Sequence, residues 1–162
     1  MLKHADVAIE FTMPTVAADN IRYCIENDIA IVCGTTGWYD SYYELDTLCH
    51  KHDGAMLTAT NFSIGMNIMF ALTERLAQLM SGHDEYSVDI TETHHIHKLD
   101  APSGTAITLR DQIAANSEGK RQDANNIPIE SIREGEVPGT HTVRYSYPID
   151  TITLTHDAHS RE

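Results

Sequence analysis

The chain has 162 residues, of which 41% are apolar, and its 24 acidic side chains outnumber 11 basic ones for a net charge of −13. So acidic a chain excludes nucleic acid and anionic membrane as main partners, because phosphate binding needs a basic field. Length and composition fit one globular domain, or two small ones, with a core that needs no covalent staples.

The segment Asp6–Phe11 is β-rich, with an apolar alternation at Val7, Ile9 and Phe11. Thr12 and Pro14 then signal a helix start, and Ala17, Ile21, Cys24 and Ile25 recur at helical spacing. Ile29–Cys33 is apolar throughout, the pattern of a strand buried on both faces of a parallel sheet. It runs into Gly-Thr-Thr-Gly (Gly34–Gly37), then a helix whose inward face would carry Tyr42, Leu45 and Cys49. Ala55–Thr60 predicts a third strand, so the order is that of a parallel α/β sheet with right-handed crossovers.

After Asn61 the pattern changes. Ser63 can cap a helix through Met80, with Met69, Leu72, Leu76 and Leu79 on one face and Gly82 ending it. Tyr86–His94 alternates as a strand, and Ala101 to about Ala115 reads as a helix. Asn116–Asn126 is a polar loop, followed by strand-like runs at Ile127–Arg133, Thr140–Tyr147 and Thr151–His156. Strands clustered late predict an antiparallel or mixed sheet, with a domain boundary near Gly65. Cys24, Cys33 and Cys49 are odd in number and lack CxxC spacing, which suggests reduced thiols in a cytoplasmic chain. There is no 18-residue apolar run and no signal-peptide core near the start.

The chemistry concentrates at Thr93–Ala106, where His94, His95, His97 and Lys98 precede Asp-Ala-Pro-Ser-Gly-Thr. Three readings compete. A zinc site would need three or four converging ligands, and neither HExxH nor a Cys/His spacing supports one, so no metal is expected. A structural reading makes His94 a half-buried histidine continuing the face of Val88, Ile90 and Glu92. The catalytic reading accounts for more. Pro102 suits the first turn of a helix that Asp100 or Ser103 can cap, so the N–H groups of Ser103, Gly104 and Thr105 would offer an anion site. Lys98 adds a full charge, and a histidine with ordinary pKa about 6.5 is a ready proton donor.

The block "HHIHKLDAPSGTA" resembles the signature of the dihydrodipicolinate reductase family, and "DVAIEFT", "GTTGW", "ATNFSIGMN", "SIREGEVPGTHTV" and "THDAHSR" agree in order. The resemblance implies a partial Rossmann-like parallel sheet followed by an α+β substrate and tetramerisation domain with a mixed sheet. The expected divisions are 1–64 for the remainder of the dinucleotide-binding domain, 65–157 for the substrate domain and 158–162 for the start of a return segment. It implies reduction of 4-hydroxy-tetrahydrodipicolinate with NADH or NADPH, in lysine and diaminopimelate biosynthesis, by a homotetramer. By matching position, His94 is the proton donor or acceptor and Lys98 a second donor, while His95, Gly104 and Thr105 bind substrate carboxylates. Gly34, Thr35 and Thr36, with Ala59, Thr60, Asn61 and Phe62, line the nicotinamide end of the cofactor site. Asn61–Gly65 is the expected hinge.

The family's GxxGxxG-type turn has no match in these residues. The chain therefore reads as a fragment without that turn and without the family's C-terminal end, and weak or no NAD(P)H binding is expected. Three other functions remain open: a different nicotinamide-dependent reductase of a small dicarboxylate, a metal-dependent hydrolase, and an oligomerisation or substrate-binding module without turnover.

Overall fold

The computed structural model describes residues 5–160, so Arg161 and Glu162 of the expected return segment lie outside the described residues. The chain divides into two compact units, Met1–Phe62 and Ser63–Glu162, two residues short of the 64/65 division expected from sequence.

In the first unit, β1 (Val7–Glu10), β2 (Ala30–Cys33) and β3 (Met56–Thr58) form a parallel sheet in the order β1-β2-β3. The crossovers are α1 (Pro14–Glu26) and α2 (Tyr42–Lys51), the latter preceded by a 3-10 turn at Tyr39–Ser41. Both crossovers step in the same direction, and with the usual right-handed connection that puts both helices on one face of the sheet, where they share one buried cluster. Ala17, Ile21, Cys24 and Ile25 of α1 and Leu45 and Cys49 of α2 are buried with Ile31 and Cys33. Two expectations change here. The apolar alternation of β1 lies on the opposite, open face, with Val7 49% and Ile9 72% exposed, while Ala8 and Glu10 face the helices. Accordingly β2 is covered on one side only, Ala30 and Val32 being half-buried. Tyr42 is also exposed; the indole of Trp38 takes the inward place and donates to the Thr35 carbonyl at 2.7 Å.

The second unit packs α3 (Ile64–Met80) and α4 (Gly104–Ala115) on a mixed sheet. Its strands are β4 (Ser87–His94), β5 (Ile129–Arg133), β6 (Gly139–Ser146) and β7 (Thr151–Ala158), in the order β5-β4-β6-β7. Only β4 and β5 run parallel. Ser63 caps α3, its hydroxyl accepting from the Met66 N–H. The buried face of α3 is Met66, Met69, Phe70, Thr73, Ala77 and Met80. Leu72 and Leu79, expected inside, are exposed. The helix carries apolar residues on two faces, and the one containing the bulkier methionines and Phe70 meets the sheet.

Register explains how the core gives way to a site. Across the helix-covered face, Ile129, Ile90, Val143 and Leu154 form one apolar cross-strand row. Two residues further along β4, the row is Ser131, Glu92, His141 and His156, entirely polar. Beyond it His94 pairs with Arg133. The outer face carries Thr91, Thr142 and Thr155 in one row, and an Arg144–Asp89 ion pair at 3.0 Å.

Candidate active site

Glu92 sits at the centre of the polar row and is fully buried. Its Oε1 accepts from the Ser103 N–H at 3.1 Å, the Ser131 hydroxyl at 2.7 Å and the Arg133 guanidinium at 3.2 Å. Its Oε2 lies 3.2 Å from His94 Nδ1 and 3.7 Å from His141 Nε2. Burial opposes the carboxylate's charge, but hydrogen bonds led by His94, Ser103 and Ser131 outweigh it and hold the carboxyl well below its usual range. His141 is lowered as well: burial first, then the charge of nearby His94, brings it to about 4. It stays neutral at pH 7, its Nε2 3.3 Å from the Ser103 hydroxyl. The His94 and His141 rings meet edge-on, 4.9 Å apart.

The start of α4 differs in detail from its expected form. Ser103 is the N-cap, accepting from the Ala106 N–H, and Gly104 is the first helical residue. Pro102, joined to Ala101 by a cis peptide, stands before the cap rather than in the first turn. The Ser103 N–H is committed to Glu92, so it does not belong to an anion cradle. Gly104 and the buried Thr105 follow it on the first turn.

Between β4 and α4 the chain leaves the sheet at His94. His95 and His97 therefore sit in a turn, rings 6.0 Å apart, rather than sharing a strand face. His97 contacts the Glu136 carboxylate at 3.1 Å. Lys98 Nζ donates to Asp100 Oδ1 at 2.6 Å, so the site's lysine already holds a carboxylate. Arg133 reaches the Asp100 carbonyl at 2.6 Å, tying this turn to β5.

In the first unit, three loops leave the carboxyl ends of the parallel strands, where α/β sheets bind ligands. They contain Phe11 and Thr12, then Gly34–Gly37, then Ala59–Phe62. A Cβ on Gly34 would fall within the Phe11 ring, so only glycine lets this aromatic lie on the loop. Phe11 in turn contacts Phe62, with ring centroids 5.7 Å apart. Glu10 anchors the first loop: its buried carboxylate accepts from the Thr12 amide, and from the Thr12 hydroxyl in a close contact. Burial works against that charge, but hydrogen bonds led by Thr12 lower it to about 2. The buried Thr35 hydroxyl lies beside the Glu10 carboxylate and helps to hold its charge. An aromatic wall beside a glycine loop fits a planar ring such as that of a nicotinamide.

Residues 1–62 match the family model described as dihydrodipicolinate reductase, N-terminus, and residues 65–162 the one described as dihydrodipicolinate reductase, C-terminus. The chain belongs to the dihydrodipicolinate reductase family. The 4-hydroxy-tetrahydrodipicolinate reductase of Christiangramia forsetii is 50% identical, over 97% of this chain and 68% of its own length. That of Methanoregula boonei is 34% identical, over 98% of this chain and 65% of its own. The chain thus spans about two thirds of the length of these curated relatives. Among solved structures, the dipicolinate-bound dihydrodipicolinate reductase of Paenisporosarcina sp. TG-14 superposes with a TM-score of 0.65 at 28% identity, covering 96% of this chain and 63% of that one.

Within this reductase-family fold, Glu92, His94 and His141 bring one ligand atom each to within 4.8 Å of one another. By spacing alone that trio could hold a divalent cation. The Arg133 guanidinium on the same carboxylate already matches its charge, and a dication would have to sit beside it. The arrangement favours a proton on an imidazole instead. His141, Arg133 and Ser131 were not singled out from sequence; pairing the late strands in register with Glu92 is the signal that would have found them.

Proposed function

We propose that this chain carries the proton-donating and substrate-facing groups for NAD(P)H-dependent reduction of 4-hydroxy-tetrahydrodipicolinate to tetrahydrodipicolinate, with loss of water, in lysine and diaminopimelate biosynthesis. The observation that carries the reading is the buried Glu92–His94 contact at 3.2 Å, in a chain of this family and with His94 four residues before a lysine. Lys98 and the first turn of α4, Gly104 and Thr105, bind the substrate's carboxylates, with His95 beside them. His94 supplies the proton that balances reduction, and Glu92 holds its ring.

Gly34, Thr35 and Thr36, with Ala59, Thr60, Asn61 and Phe62, would hold the nicotinamide end of NADH or NADPH. When bound, the cofactor supplies the hydride; this chain's residues supply orientation and charge. Support for a homotetramer comes from the outer face of the second unit's sheet, where threonine rows and the Arg144–Asp89 pair offer a polar surface for a like sheet to meet. Support for a cytoplasmic location comes from the three cysteines, all free and buried. Among the described residues no helix is long and apolar enough to cross a membrane.

Calorimetric titration with pyridine-2,6-dicarboxylate tests the reading. Saturable binding that Lys98→Ala abolishes is the expected result. A folded chain that ignores this planar dicarboxylate, with or without NADH, would overturn the substrate assignment.

A further inference from the structure

We propose that Glu92 is a positioning residue for His94, keeping the neutral imidazole's hydrogen on Nδ1, so that Nε2 is the nitrogen that takes up a proton from solvent and then passes it to substrate. This rests on the role given to His94 above and adds which nitrogen acts and what enforces it.

The plane of the Glu92 carboxylate is set by donors from two directions. The Ser103 N–H comes from the start of α4, and the Ser131 hydroxyl and Arg133 guanidinium come from β5, all onto Oε1. That leaves Oε2 facing His94 Nδ1. Both atoms are buried and make no well-formed hydrogen bond among the described residues, so this 3.2 Å approach is the polar contact available to Nδ1. A carboxylate only accepts, so an unprotonated Nδ1 would set lone pair against lone pair at 3.2 Å. The neutral ring must therefore carry its hydrogen on Nδ1.

At the other edge of the ring a neighbouring glycine keeps a side chain away. A Cβ at Gly139, where β6 begins, would stand 3.1 Å from His94 Nε2. Glycine leaves that nitrogen clear of side-chain atoms from its own position. The charged and titratable groups around His94 are Glu92 on its own strand, Arg133 on β5, His141 on β6 with His156 behind it on β7, and Lys98 with Asp100 in the following turn. Among these Glu92 supplies the anion that touches Nδ1.

Glu92→Gln separates this role from simple packing. The three donors on Oε1 would hold the amide oxygen in that place, so the amide NH2 would take the place of Oε2 and donate to Nδ1. The neutral ring would then have to move its hydrogen to Nε2.

The experiment is long-range proton–nitrogen correlation NMR of the nitrogen-15-labelled chain, with His94 assigned from a His94→Asn sample. The expected result is an Nδ1–H tautomer in the wild-type chain and an Nε2–H tautomer in Glu92→Gln. Ser131→Ala, which removes one donor but keeps the carboxylate, should retain Nδ1–H. An Nε2–H tautomer in the wild-type chain overturns the proposal, and so does inversion in Ser131→Ala or an unchanged tautomer in Glu92→Gln. If Glu92→Gln does not fold, the wild-type tautomer and Ser131→Ala still decide. None of these readings needs substrate, so failure to bind the dicarboxylate and failure of the tautomer assignment are told apart.

Discussion

The Ser103 N–H donates to Glu92 Oε1 at 3.1 Å, so the first turn of α4 hangs from a carboxylate in the middle of β4. The strength of that attachment depends on pH in two stages. His141 has its proton affinity depressed by burial from the ordinary 6.5 to about 4, so the unfolded chain binds the proton first. Its contribution is complete above about 6.5 and is lost as pH falls toward 4, a change of at most about 3 kcal/mol. Glu92, also depressed, contributes above the ordinary 4.5 and loses that contribution only as pH falls further. Urea midpoints measured from pH 7.5 to 3 should decline in both windows. His141→Asn should flatten the upper window alone; a wild-type midpoint constant from pH 7 to 5 would contradict the burial of a neutral His141.

Lys98 and Asp100 form a contact at 2.6 Å whose side chains are 23% and 44% exposed. Such a pair is worth at most about 1 kcal/mol, and it competes with any incoming carboxylate. Asp100→Asn should therefore tighten pyridine-2,6-dicarboxylate binding by about two- to fivefold, while Lys98→Ala removes it. Weaker binding in Asp100→Asn would mean that the aspartate orients the lysine instead of competing for it.

Two glycines should respond oppositely to alanine. At Gly34 the new methyl would overlap the exposed Phe11 ring, which must swing away from Phe62, losing that aromatic contact at about 0.5–1.5 kcal/mol. At Gly82 a Cβ meets nothing within 4 Å, so Gly82→Ala should stay within about 0.5 kcal/mol of wild type. Thermal melts of both variants check this, and equal losses would refute the account of Gly34.

Arg121 is buried at the end of α3, donating to the Met80 carbonyl at 2.7 Å and lying 5.9 Å from the centre of the Tyr145 ring. Arg121→Met should lose about 2–4 kcal/mol, since it strips charged donors from buried carbonyls. Hydrogen exchange should locate the damage in the last turn of α3 and the following loop, with dicarboxylate binding retained.

What could be read from the sequence was whatever depends on neighbours along the chain. The α1 face of Ala17, Ile21, Cys24 and Ile25 follows from helical spacing, and the Ser63 cap from its place before an apolar run. Facts decided across the fold were harder. The side of β1 that meets helices depends on crossover handedness, which is why Val7 and Ile9 lie open although their alternation is clear. The inward face of α3 depends on which of two apolar stripes fits the sheet, so Leu72 gave way to Phe70. At the site, His94 and Lys98 stood in one conspicuous block. His141 lay 47 positions further on and meets Glu92 only through strand register. Arg121 looked like part of a solvated polar loop, because charge alone does not disclose that three backbone carbonyls wait for it.

Val7, Ile9 and Leu57 stand on the open face of the three-stranded sheet, 49%, 72% and 56% exposed. In bulk solution these side chains attract their like at short range, whereas a net charge of −13 drives molecules apart at long range. The repulsion is screened by salt and fades as carboxylates take up protons, while the attraction between apolar faces does neither. Dispersal at neutral pH and low ionic strength should therefore give way to turbidity on mild acidification, before the fold itself melts. Light scattering recorded alongside circular dichroism would separate the two events, and Ile9→Lys should delay the first without moving the second.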